Sequence, residues 1–195
     1  MNDDAQPRSP ELMNATDTGL LVVDAQERLL AVVPGANRVV WNCRRLLDAA
    51  AALGMPAVAT EQYPEKLGPT AMELRERLEP AAAKLAFSGA GCAPDLEAWK
   101  ADGRYRVLVC GIETHVCIAQ TAFDLLAAGW LVYVAVDAVS TRHLVDHETA
   151  LRRMESAGVV LTSTEAAMFE WCRVASGPAF KTISALAKES PPSDQ

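Results

Sequence analysis

The chain carries unbroken apolar runs that are too short to cross a membrane and too continuous to leave one face in water. Residues 19–24 read GLLVVD, residues 106–111 read RVLVCG, and residues 130–136 read WLVYVAV just ahead of Asp137. Strands apolar on both faces belong inside a parallel sheet that is covered on both sides. The segments between them have helical rather than strand periodicity. Residues 34–53 open with Pro34, place Val39, Val40, Cys43, Leu46, Leu47 and Ala50 at helical spacing, and stop at Gly54. Shorter strands are expected at 55–60, at 82–87 (interrupted by Lys84) and at 159–162. Helices are expected at 70–78, 94–100, 114–128, 144–157, 164–173 and 178–188, with loops at 61–69 and 88–92. Alternation of this kind predicts an α/β fold. It is a Rossmann-like three-layer sandwich, with a six-stranded parallel sheet and helices on both faces.

A chain of 195 residues suits one domain, expected at residues 18–188 between a flexible leader (1–17) and a flexible tail (189–195). The formal net charge is −7 and no Lys/Arg-rich run appears, which argues against nucleic acid or an anionic membrane as partner. The five cysteines are odd in number and match no zinc or disulfide spacing, so a reducing cytoplasm is the expected compartment. Cys43, Cys92, Cys110 and Cys172 read as inert thiols.

Cys117 is different. It falls in the first turn of the helix that follows the strand at 106–111, where unpaired N–H groups and the helix dipole favour a thiolate. The carboxyl edge of a parallel sheet is also where open α/β folds bind ligands. A thiol at its ordinary pKa needs a base and a cation to become a nucleophile. His115 is two residues away and points elsewhere on a helix. His143 and His147 lie around the start of the helix after the fifth strand, away from an obvious base position. A carboxylate serves as base where apolar surroundings raise its pKa, and Asp24 follows four apolar residues. Lys84 is a source of the cation.

Three segments then resemble the signatures of the isochorismatase-like cysteine hydrolases: Leu21-Val22-Val23-Asp24-Ala25-Gln26, the stretch around Lys84, and Gly111-Ile112-Glu113-Thr114-His115-Val116-Cys117. Residues 137–142 are similar to a fourth segment, and residues 60–64 resemble the isochorismatase domain-containing subgroup. The resemblance implies Asp24 as general base, Lys84 as electrostatic partner and Cys117 as nucleophile, attacking a C–N bond of a small amide or ureido compound through a thioester. It implies a non-proline cis peptide at Ile112–Glu113, with the Glu113 and Cys117 N–H groups forming an oxyanion hole. It also implies a homo-oligomer, dimeric or tetrameric. Gln26, Glu61, Tyr63 and Phe87 are expected to line the substrate pocket. The loop at 61–65 lacks the histidines of the metal-binding branch, so no metal and no cofactor are expected. Two other readings stay open, a binding protein that keeps the fold and a redox-responsive thiol protein.

Overall fold

The computed structural model describes residues 8–92 and 95–193. Along the chain run β1 (Thr18–Val23), α1 (Glu27–Leu30), α2 (Ala36–Ala52), β2 (Ala57–Gln62), α3 (Pro64–Leu67), α4 (Met72–Arg75), β3 (Ala82–Lys84) and α5 (Asp95–Ala101). There follow β4 (Arg106–Ile112), a π-helical turn (Thr114–Ile118), α6 (Ala119–Ala127), β5 (Leu131–Ser140), α7 (Leu144–Ser156), β6 (Val160–Thr162), α8 (Thr164–Cys172) and α9 (Phe180–Ala187). The strands form one six-stranded sheet of order β3-β2-β1-β4-β5-β6, every pair parallel. The chain steps outward from β1 to β3, then returns to lay β4 on the other side of β1. The crevice at such a reversal is the general ligand position in this architecture.

The pleat explains the continuous apolar runs. Alternate side chains of a strand point to opposite faces. Leu20 and Val22 of β1, with Leu108 and Cys110 of β4, join α2, α8 and α9 in one core. Leu21 and Val23, with Val107 and Val109, join α5, α6 and α7 in the other. A strand between two helical layers therefore has no solvent face for a polar residue to occupy.

Several boundaries differ from the sequence expectation. β2 starts and ends two residues later than expected, so Glu61 and Gln62 belong to a strand rather than a loop; Gln62 pairs with Lys84. β3 stops at Lys84, whose ammonium turns back onto the Ala86 and Phe87 carbonyls at 3.2 and 2.8 Å and so curls the chain. β5 runs through Asp137 to Ser140, because the Asp137 carboxylate is satisfied in place, accepting from the Thr164 N–H and hydroxyl at 2.8 and 3.0 Å.

The leader expected at 1–17 is a packed part of the domain from Arg8 onward; residues 1–7 lie outside the described residues. Met13 is fully buried in the first core. Tyr133 donates to the Glu11 carbonyl at 3.0 Å, and Asp17 pairs with Arg106. Met13 and these polar contacts together seat the segment, with the Met13 N–H also donating to Glu170 Oε2 at 2.9 Å. The expected tail begins anchored too, because Glu189 pairs with Arg44 and accepts from the Trp41 indole at 3.1 Å. Its last residues, 194–195, and Pro94 of the expected helix at 94–100 lie outside the described residues.

Candidate active site

Asp24 follows β1 in a left-handed conformation, φ 51°, which Asp adopts more readily than most residues. Its N–H donates to the Thr60 carbonyl at 3.0 Å, and the Thr60 hydroxyl donates back to Oδ1 at 2.8 Å. Lys84, at the end of β3, reaches across β2 and brings Nζ to 2.6 Å from Asp24 Oδ2. The pair is desolvated, with side-chain exposures of 2% for Lys84 and 0% for Asp24. Gln62 Oε1 accepts from the same ammonium at 2.7 Å. A buried pair needs further hydrogen bonds to offset desolvation; here they fall on Lys84 Nζ and Asp24 Oδ1, while Oδ2 has only the ion pair.

Cys117 sits in the π-helical turn after β4, 5% exposed, with its thiol close enough to Asp24 and Lys84 for both charges to act on it. Three residues drawn from distant parts of the chain thus meet at the carboxyl edge. The pull toward thiolate expected from the helix start is outweighed. Burial above all, then the Asp24 charge and hydrogen bond, push the thiol up to about 12, against a weaker downward pull from Lys84. A helix terminus contributes only about 0.3–1 kcal/mol, less than one pKa unit, whereas desolvation of a buried group moves a pKa by several.

The turn is held from the far side. The Ile112–Glu113 peptide is cis, as the resemblance implied. Glu113 Oε2 accepts from the Thr141 hydroxyl at 2.9 Å and from Arg142 Nε at 3.0 Å. Burial pushes the Glu113 carboxyl up, but the hydrogen bonds from Arg142 and Thr141 and the guanidinium charge outweigh it, and its pKa falls. His115 Nδ1 lies 2.7 Å from the Thr141 hydroxyl, and His147 Nδ1 lies 3.0 Å from that of Thr114. Both imidazoles brace the turn.

The expected pocket residues fare unevenly. Gln26 is fully buried; its amide donates to the Gln62 and Gly68 carbonyls at 3.1 and 2.6 Å and accepts from the Gln62 N–H at 2.8 Å. It staples two backbone segments and has little left for a ligand. Glu61 is turned away by the pleat, because Thr60 and Gln62 face the ion pair. Its carboxylate instead accepts from the Thr70 N–H and hydroxyl at 2.7 and 2.8 Å. Tyr63 and Phe87 are exposed beside the site; the first donates its N–H to the Lys84 carbonyl and the second offers its carbonyl to Lys84 Nζ, both at 2.8 Å. Among the described residues, no group of three His, Cys, Asp or Glu side chains converges as a metal site would require.

Thr60 and Gln62 were missed. The signal was available: with β2 extended through Gln62, the two residues share a face with one residue between them. Thr60→Val is expected to cost about 2 kcal/mol, the usual loss for a hydrogen bond to a charged group, while Thr60→Ser stays near wild type. Urea denaturation of the two variants checks this, and a Val variant as stable as the parent would contradict it.

The family model for the isochorismatase domain matches residues 18–166. Isochorismatase domain-containing protein 2A of Mus musculus is 40% identical over 89% of this chain and 84% of its own length. The solved structure of the MAR1 ribonuclease from Caenorhabditis elegans superposes with a TM-score of 0.86 at 38% identity, covering 94% of this chain and 95% of the other. Two YcaC structures are also similar. The one from Pseudomonas aeruginosa, with hexane-2,5-diol and covalent acrylamide, has a TM-score of 0.81 at 27% identity and 93% and 96% coverage. The one from Escherichia coli, an octameric hydrolase of unknown specificity, has a TM-score of 0.82 at 25% identity and 92% coverage of both chains. With its domain matched from β1 into α8 and its parallel sheet shared with these relatives, the chain belongs to the isochorismatase family.

Proposed function

We propose that the protein is a metal-independent cysteine hydrolase that cleaves a C–N bond of a small amide or ureido compound. The observation that carries this reading is the buried Asp24–Lys84 pair, 2.6 Å apart, within electrostatic reach of the buried Cys117 thiol. In the proposed reaction Asp24 takes the thiol proton as Sγ attacks the carbonyl carbon. Lys84 remains charged and offsets the negative charge that passes between carboxylate and sulfur. The Glu113 and Cys117 N–H groups receive the oxyanion. Protonated Asp24 then returns its proton to the leaving amine, and a thioester remains on Cys117. Water, deprotonated by Asp24, adds to the thioester; the acid leaves and the thiol is restored.

A high resting pKa suits this sequence, because proton removal is then coupled to attack rather than completed beforehand. It counts against a redox-responsive thiol, which is accessible and of low pKa. It is compatible with a second reading, a binding protein whose thiol is silent. Covalent acrylamide in the P. aeruginosa relative, a small primary amide, supports reactivity over silence. The chain's formal charge of −7 gives no support to RNA as substrate despite the name of the worm relative. Homo-oligomerisation is part of the proposal, supported by the octameric relative and by exposed Tyr63, Leu85 and Phe87 beside the site. A cytoplasmic site of action is also proposed, from the five free thiols.

The deciding experiment is intact-protein mass spectrometry of wild type and Cys117→Ser after incubation with small primary amides and ureido acids, with ammonia measured alongside. An acyl mass gain on the wild type alone, with ammonia release, is expected. Equal turnover in Cys117→Ser would falsify the mechanism, and silence across a broad panel would favour the binding reading.

A further inference from the structure

A cleft opens at the carboxyl end of β5, on the other side of the Glu113–Thr114 turn from the Asp24–Lys84 pair. It encloses about 420 Å³ and is bounded by Pro34 and Arg38 at the start of α2, Ser140 and Thr141 at the end of β5, and Leu144 and His147 on α7. That volume lies within the range of sites for small molecules, about 300–1,000 Å³. Its cationic side chain is uncommitted: Arg38 is exposed, folds its guanidinium back over Gly35, and has no carboxylate partner among the described residues. His147 gives Nδ1 to the contact with Thr114 at 3.0 Å, so Nε2 is the nitrogen left for a ligand. Burial first, then the Arg38 charge, hold this imidazole below its ordinary pKa, with Glu148 opposing. An uncompensated guanidinium is thus felt at the ring across the cleft. The entrance to α2 adds to the same field, for Gly35 supplies no side-chain cap and the first turn holds no acid. The Ser140 hydroxyl donates to the Pro34 carbonyl at 2.7 Å and fixes that entrance against β5.

We propose that this cleft is a ligand site, separate from the Asp24–Lys84–Cys117 cluster, for a small molecule whose carboxylate or phosphate group lies between Arg38 and His147. The site stands whether or not Cys117 turns over. Its floor is wired to the nucleophile turn through His147–Thr114 and through Thr141, which donates to Glu113 at 2.9 Å. Occupancy is therefore expected to change the alkylation rate of Cys117.

The test is calorimetric titration of the full chain with inorganic phosphate and, separately, with succinate. Saturable millimolar binding of at least one probe is expected in wild type. Arg38→Gln, at an exposed position that leaves the fold intact by circular dichroism, should weaken it about tenfold, as loss of a charge-assisted bond does. His147→Gln should weaken it severalfold, and Cys117→Ser should leave it unchanged. Which probe binds distinguishes a phosphate ligand from a carboxylate one. No saturation by either probe, or wild-type binding in Arg38→Gln, overturns the proposal. Loss of binding in Cys117→Ser also overturns it, since the anion would then sit at the nucleophile.

Discussion

Asp24→Asn is expected to end turnover while making Cys117 easier to ionise. The two effects have opposite signs because Asp24 plays two parts. As the proposed base it is worth about 10²–10⁴ in rate. As a neighbouring anion it helps, after burial, to hold the thiol up at about 12. With the carboxylate gone and the Lys84 ammonium still beside sulfur, the thiolate gains a net favourable neighbour. The half-point of iodoacetamide alkylation should therefore move to lower pH in Asp24→Asn than in wild type, as hydrolysis falls. A structural role alone predicts loss of both. The variant should also lose stability, because a buried ammonium without its counter-charge costs roughly 3–5 kcal/mol, and thermal melts at neutral pH read that loss. A half-point unchanged or moved upward would show that Asp24 does not face the thiol as described.

Gly111→Ala should be the most damaging small substitution in the sheet. Gly111 pairs with Val23 between β4 and β1 and has φ +116°. A Cβ there would lie 2.0 Å from the Val23 carbonyl oxygen and 2.9 Å from its nitrogen. Those are backbone atoms of the central strand, held by partners on both sides, so they cannot swing away as a side chain does. Strain at this φ adds about 1–3 kcal/mol, and the total belongs with the exceptional losses above about 4 kcal/mol. For a domain of this size the Tm should drop by about 10 °C or more. Gly54→Ala separates the two causes, since Gly54 also has positive φ (+65°) but open space where the Cβ would go. It should lose only about 1 kcal/mol. If both variants melt alike, the close approach to β1 is not what requires glycine at 111.

The parts of the fold most legible in the sequence are those where burial leaves no choice. β1 and β4 are continuous apolar runs because each packs helices on both faces, and α2 shows its buried face at helical spacing. Edge elements were harder. β3 is three residues long, and its end is set by where the Lys84 ammonium finds oxygen, a contact no local pattern encodes. Asp24 and Cys117 could be singled out because they follow central strands. Lys84 stands out as a polar residue near a strand end, but its partner does not, since nothing near it says that it reaches over a neighbouring strand. Glu61 reads as a loop residue at the pocket mouth, and only with β2 extended through Gln62 does period-two alternation put it on the opposite face from Thr60 and Gln62. The upward shift of the Cys117 thiol is not legible, because sequence shows the helix start and not the burial, and burial is the larger effect.

The protonated, 5% exposed thiol gives this protein a form of chemical latency. Stray oxidants and electrophiles meet a neutral sulfur with little surface, while a substrate that fits brings its carbonyl to the one place where the proton has somewhere to go. Reagents that do not fit the site are therefore expected to reach the more accessible Cys92 before Cys117.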